Sequence, residues 1–115
     1  MVLEHMKPFT VDISECYLRN TKLESNPTNQ RNSGFYKQVL EGIRKDGMIN
    51  PLTCVKIKNK YMVCLGNNRY LAAKELGLKT VEVLVVTNDE VRTLRESYEQ
   101  YEDVDDFFIP RLKLQ

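Results

Sequence analysis

The stretch VCLGNNRYLAAKELGLKTVEVLVV, Val63 to Val86, decides the fold. It opens on the end of an apolar strand. Gly66-Asn67-Asn68-Arg69 makes an elbow, a helix follows over about Tyr70 to Leu76 and stops at Gly77, and TVEVLVV is a second strand. The elbow has two readings. In the first, the asparagines cap a helix and Arg69 pairs with a nearby carboxylate. In the second, the elbow binds phosphate. A helix start leaves N–H groups without helical partners and carries partial positive charge. Gly66 permits a sharp turn and close approach of another group. Arg69 adds a fixed-charge fork that suits phosphate oxygens.

Upstream of this unit, FTVDI (Phe9 to Ile13) alternates apolar and polar residues and reads as a half-buried strand. Asn20 to Gly34 is rich in Asn, Ser, Thr and Pro, and reads as one long loop. A helix is expected from about Ser33 to Asp46. Tyr36, Val39, Leu40 and Ile43 form its apolar stripe, Asn32 or Ser33 can cap its start, and Gly47 suits its end. LTCVKIKNKYMVCL reads as a hairpin turning near Asn59, with Val55, Ile57, Tyr61, Val63 and Leu65 on one face. Thr87 and Glu90 have capping-box spacing for a last helix, with Val91, Leu94, Tyr98 and Tyr101 on one stripe. The tail is acidic (Glu102, Asp103, Asp105, Asp106) and then apolar (Phe107, Phe108, Ile109). The apolar part is expected to fold back onto the core or to meet a partner.

The expected architecture is therefore a compact α/β (α+β) single domain over residues 1–115, ordered β–α–β–β–α–β–α. It has a small mixed sheet, about three helices, a core at about 9–86, and a C-terminal helix and tail at 87–115. A chain of 115 residues buries a core without staples. Lys and Arg number 17 against 16 Asp and Glu, a net charge of +1, which argues against a strongly basic nucleic-acid surface. Cys16, Cys54 and Cys64 have no CxxC spacing and read as reduced thiols of a cytoplasmic protein. A three-residue hairpin loop would place Cys54 opposite Cys64, but no secretory feature supports a disulfide there. No apolar run approaches membrane-spanning length. His5, the only histidine, lies near a terminus, so no histidine triad or zinc set can be built.

From about Val39 to Val86 the chain resembles the ParB/sulfiredoxin-like superfamily. The matching segments are LEGIRKDGMINPLTCVKI, then YMVCLGNNRYLAAKELG, then VEVLVV. The shared pattern is a helix ending in Ile…Gly, a strand led by Leu/Ile-x-Pro, a strand running into Gly-x-x-Arg, an Ala-rich helix start, Leu-Gly and a valine-rich strand. The resemblance implies a nucleotide site, ATP/ADP or CTP with Mg2+, whose phosphates the elbow holds. Gly66 and Arg69 occupy the matching positions, and Tyr70 and Ala73 fit as helix-packing positions. Asn67 and Asn68 complete the elbow. Lys37 and Gln38 stand where relatives place polar phosphate contacts, although they also read as a solvated face. Gln30-Arg31 is similar to the Pro-Arg element of ParB, which makes Arg31 a further candidate.

The elbow departs from each relative. ParB proteins resemble Gly-Glu-Arg-Arg there, with another arginine where Leu71 stands, and the Glu-Asn-x-x-Arg segment after the last strand is missing. That argues against a CTP-driven DNA clamp. Sulfiredoxin has a cysteine where Asn67 stands, so sulfinic-acid repair lacks its nucleophile. The free-serine kinases resemble Gly-x-His-Arg, and Asn68 replaces that histidine.

The leading expectation is NTP hydrolysis or phosphoryl transfer to a small-molecule or protein acceptor, with Arg69 stabilising charge and Glu15 or Glu24 available as a base. DNA association is the alternative and is not favoured. A non-catalytic regulator, from a phage or mobile element, is a third reading. The acidic tail could gather Mg2+ or serve as a solvated face.

Overall fold

The computed structural model describes residues 7–97. His5 and the tail beyond Ser97, with Tyr98, Tyr101, the acidic run and Phe107 to Ile109, lie outside the described residues. Strands β1 (Phe9–Asp12), β2 (Cys16–Leu18), β3 (Leu52–Ile57), β4 (Lys60–Leu65) and β5 (Thr80–Val85) form one sheet. The helices among the described residues are α1 (Thr21–Ser25), α2 (Thr28–Arg31), α3 (Gly34–Asp46), α4 (Asn67–Glu75) and α5 (Asn88–Ser97), with a 3-10 turn at Ile13–Glu15. The strand order is β1-β5-β3-β4-β2. β1 runs antiparallel to β5, β5 parallel to β3, β3 antiparallel to β4, and β4 parallel to β2.

Binary patterning places the layers. One sheet face carries Leu18, Leu52, Cys54, Tyr61, Val63, Val81 and Val83, and is covered by Tyr36 and Ile43 of α3 and by Tyr70 to Ala73 of α4. The other carries Val55, Met62, Cys64 and Val86 and meets Val91 of α5. Helix α3 is amphipathic, as its spacing predicts. The Ser33 hydroxyl accepts from the Tyr36 N–H at 3.0 Å, and Gly47 leaves the helix at φ 81°. Helix α4 is different. All seven residues from Asn67 to Ala73 are buried, so it is an interior helix rather than a surface one. The capping box before α5 forms in both directions: Glu90 N–H to the Thr87 hydroxyl at 3.1 Å, and Thr87 N–H to the Glu90 carboxylate at 2.9 Å.

Four expectations are corrected. The segment at 20–34 is not one loop. Asn20 caps α1 through its side chain, which accepts from the Leu23 N–H at 3.0 Å, and α2 follows Pro27. These helices are too short to show apolar periodicity, and they raise the count of helices above three. Strand β2 is added to the expected order; three residues carry no period of two, and it exists through its parallel pairing with β4. Helix α4 begins at Asn67 rather than near Tyr70. The hairpin loop has two residues, Lys58 and Asn59, since Ile57 faces Lys60. Lys58 takes φ 57° there. Cys54 therefore faces Val63 rather than Cys64, and Val55 and Ile57 leave the face that Tyr61 and Val63 share. All three cysteines are free and buried.

This register separates two aliphatic residues of one strand. Leu52→Ala should cost about 2–5 kcal/mol in urea unfolding, as for a fully buried leucine. Ile57→Ala, on a residue 39% exposed, should stay within about 0.5 kcal/mol. Equal losses would mean that the register is wrong.

Candidate functional site

β4 passes into α4 through Gly66 alone. Gly66 has φ 109° and ψ 33°, a left-handed conformation that glycine adopts without penalty. A β-carbon there would sit 3.0 Å from Leu52 Cδ2 and 3.1 Å from Arg69 Nη2. Glycine is thus required both by the backbone and by the close approach of the arginine. The Gly66 carbonyl accepts the Tyr70 N–H at 2.9 Å and closes the first turn.

Arg69 does not extend into solvent. Its Nη1 donates to the Pro51 carbonyl at 3.0 Å, the side chain folds back beside Gly66, and the residue is 4% exposed. The guanidinium thereby ties the start of α4 to the start of β3. It also lines a cavity of about 180 Å3, bounded by Val39, Ile43 and Asp46 of α3 and by Met48, Ile49 and Asn50 beyond it. Charge at one wall, apolar side chains along the sides and two polar side chains at Asp46 and Asn50 are the usual lining of a small-molecule site.

Asn67 and Asn68 are buried, Asn68 completely. The Asn68 carbonyl oxygen accepts from Gln30 Nε2 at 2.5 Å. The Tyr70 hydroxyl donates to the Cys16 carbonyl at 3.2 Å and lies 3.3 Å from Glu24 Oε2. Burial, and then the adjacent Glu24 carboxylate, push the Tyr70 phenol well above its usual range. Glu24 also accepts the Leu18 N–H at 2.5 Å and pairs with Lys74 at 3.7 Å. This carboxylate anchors structure, whereas Glu15 stands exposed on the 3-10 turn. Arg31 pairs with Glu75 at 3.7 Å, on the same helix as the elbow. Lys37 and Gln38 are exposed on α3.

The fold thus brings Arg31 of α2 onto the helix that carries Gly66, Asn67, Asn68, Arg69 and Tyr70. It also recruits residues the sequence reading did not place at the site: Gln30 as a partner of Asn68, Glu75 as a partner of Arg31, and Asp46 to Asn50 around the cavity. The signal for Gln30 was weak, one polar residue among many between Asn20 and Gly34. Cys16 and Cys54 supply no nucleophile. Burial pushes the Cys16 thiol up to about 11 and Cys54 higher still, so both stay protonated at neutral pH. Among the described residues, no group of three or more His, Cys, Asp or Glu side chains could hold a metal ion. No helix there is long and apolar enough to cross a membrane.

Comparison with known proteins places the chain in a family and its fold among solved structures. The sequence profile of the ParB N-terminal domain matches residues 11–99. An ATP-dependent L-serine kinase of Staphylothermus marinus is 28% identical over 87 residues, covering 73% of this chain and 31% of that protein. The chain thus spans about a third of the length of that curated relative. Among solved structures, sulfiredoxin from Arabidopsis thaliana superposes with a TM-score of 0.54 at 21% identity, over 76% of this chain and 94% of that one. The C-terminally truncated chromosome-partitioning protein ParB from Caulobacter crescentus, complexed with CTP-γ-S, superposes with a TM-score of 0.59 at 20% identity, over 84% and 55%. At these identities the structural likeness establishes the fold.

Two outcomes are expected from the elbow and its surroundings. Gly66→Ala should destabilise the protein by about 1–3 kcal/mol in urea, through left-handed strain and the clash with Leu52 and Arg69. Gly42→Ala, on a helix with open space at the β-carbon, should be neutral or stabilising by up to about 1 kcal/mol. The second outcome concerns alkaline pH. Burial, and then the hydrogen bond to Glu75, raise the Tyr36 phenol to about 12. A tyrosine in the unfolded chain ionises near 10. The contribution of Tyr36 is therefore complete below about pH 10 and is lost as pH rises through about 12. A Tyr36→Phe variant should lose less stability than wild type over that interval, as read by circular dichroism in urea.

Proposed function

The chain belongs to the ParB N-terminal domain family, and from that premise we propose that it binds a nucleotide through the elbow Gly66–Arg69 and acts in NTP hydrolysis or phosphoryl transfer. The observation that carries this reading is the position of Arg69. Its guanidinium stands beside the left-handed Gly66, at the N-terminal end of α4, on the wall of the cavity. Phosphate oxygens at that point meet a helix N-terminus and a guanidinium fork together. The cavity next to Arg69 would take part of the ligand, with Met48 and Ile49 as apolar walls and Asp46 and Asn50 as hydrogen-bonding partners.

The printed activity of the Staphylothermus relative and the ligand of the Caulobacter structure support a nucleotide over a simple anion. They differ in the base, ATP in one and CTP-γ-S in the other, so both belong in the test. In transfer, the bond from the β,γ-bridging oxygen to the γ-phosphorus breaks as the acceptor oxygen bonds to that phosphorus, and the acceptor hydroxyl gives its proton to a base. The acceptor is water, a small-molecule hydroxyl or a protein hydroxyl. Arg69, Asn67 and Asn68 would hold the charged phosphates, with Tyr70 fixing the helix beneath them and Arg31 on its flank. Lys37 and Gln38 are the outermost candidates. The described residues hold no carboxylate cluster for a metal, so Mg2+ would arrive bound to the phosphates, as is usual for that ion.

A thermal-shift panel of ATP, ADP, CTP and GTP, each with and without Mg2+, tests the reading, since a ligand of the native state raises apparent stability by mass action. One nucleotide should raise the melting temperature of wild type and fail to raise that of Arg69→Ala. Arg69 is buried and bonded to Pro51, so the variant will start from a lower melting temperature, and each shift is read against its own unliganded protein. No shift with any nucleotide would sink the proposal, and a steeply salt-dependent DNA complex in a parallel titration would replace it.

A further inference from the structure

Residues 20–33 cross from β2 to α3 over the helix that carries the elbow. Neither α1 nor α2 has a buried side chain. The segment is fastened to the rest of the molecule by one half-buried apolar side chain, Leu23, and by polar contacts, most of them to α4. At its first end, Glu24 accepts the Leu18 N–H, meets the Tyr70 hydroxyl and pairs with Lys74. At its second end, Gln30 donates to Asn68 and Arg31 pairs with Glu75. The residue under Gln30, Asn68, is completely buried, and its neighbours Asn67 and Arg69 are nearly so. A segment with little apolar burial and a few polar fastenings opens at lower free energy than the sheet beneath it.

We propose that residues 20–33 form a strap that closes the elbow, with the Gln30–Asn68 hydrogen bond as its latch. The strap must lift before a phosphate group that meets Arg69 from the cavity can also reach Asn68. The proposal rests on the reading of the elbow as a phosphate site and adds how access to it is governed. Gln30 acts here as a positioning residue. It holds Asn68 in the closed form, and its release exposes the first turn of α4. Glu24 and Arg31 keep the strap in register over α4, so the latch re-forms in the same place after each opening.

Hydrogen exchange followed by mass spectrometry, on the full chain without ligand, tests the strap directly. Gln30→Ala should speed exchange of residues 21–31 and of the elbow amides at 67–70 together, by roughly fivefold, the factor lost with one neutral hydrogen bond. β3 and β4 should keep wild-type exchange. Glu24→Ala, which releases the other end, should act in the same direction. Unchanged elbow amides in both variants would overturn the proposal, as would an equal rise over the whole sheet. A second arm measures association of Mg2+-ATP and Mg2+-CTP by stopped flow. Faster association with Gln30→Ala than with wild type is expected, and equal association rates of a nucleotide that binds would overturn the gate. If neither nucleotide binds any of these proteins, the phosphate reading of the elbow fails, and the exchange data still decide whether the strap covers α4.

Discussion

A helix that begins in the interior must satisfy, without bulk water, the N–H groups of its first turn and any polar side chain placed there. Helix α4 sets that condition for this fold. Its first three residues, Asn67, Asn68 and Arg69, are polar and buried, and the surrounding elements supply partners for them. The Pro51 carbonyl at the head of β3 takes the Arg69 guanidinium, and Gln30 of α2 meets the Asn68 amide. Gly66 makes room, since a β-carbon at that position would press on both Leu52 and Arg69. Sheet, α2 and elbow are consequently one packing problem. An unmet polar group at this depth would cost more than a typical hydrogen bond contributes.

Glu75, near the other end of α4, plays the matching part. The Tyr36 hydroxyl of α3 donates to it at 2.5 Å, and Arg31 of α2 lies 3.7 Å from it. One carboxylate thus joins three helices on the outer side of the domain. The Tyr36 bond holds the buried phenol in its protonated form. The Arg31 pair is exposed enough to be screened, and it adds less. The apolar core under α3 and α4 therefore supplies stability, while the polar bonds around α4 decide how the covering segment sits. This division would let the covering segment open while the sheet stays intact.

Much of this was legible from the residues. Val63 to Val86 announced strand, elbow, helix and strand because each change of period coincides with a glycine or a capping residue. The stripe Tyr36, Val39, Leu40 and Ile43 gave α3, and Thr87 with Glu90 gave the start of α5. The missed parts share one physical cause, which is that they depend on contacts far apart in the chain. β2 has three residues and exists because β4 lies beside it. α1 and α2 have no buried face of their own and are fixed by Tyr70, Lys74, Asn68 and Glu75. The hairpin register depends on a two-residue loop, and on a bulge between Thr53 and Cys54 that re-pairs Thr53 with Leu65, and no local residue type reports either. At the elbow, the identity of Arg69 was readable, but its turn inward toward Pro51 was not. Arginine on a helix start reads as exposed until the packing around it is known.

The neutral character of Asn67 and Asn68 gains a physical meaning from this burial. The resemblance to ParB proteins leads one to expect charged residues where Asn67 and Asn68 stand. A second guanidinium or a carboxylate at a fully buried position would carry a large desolvation cost unless a charged partner came with it. Asparagine removes that cost and presents both a donor and an acceptor. Gln30 offers the same neutral chemistry from above, so the two amides meet without burying net charge. Among the described residues a single buried charge, Arg69, remains inside, held by a backbone carbonyl and open to the cavity. Arriving phosphate oxygens would compete with neutral hydrogen bonds at Asn68 and bring their own counter-charge to Arg69. The substitutions that set this elbow apart from its relatives are thus the ones that would allow the proposed strap to close over it in the absence of ligand. Under the proposed function, the elbow residue that Gln30 covers, Asn68, is also one that would hold the phosphates.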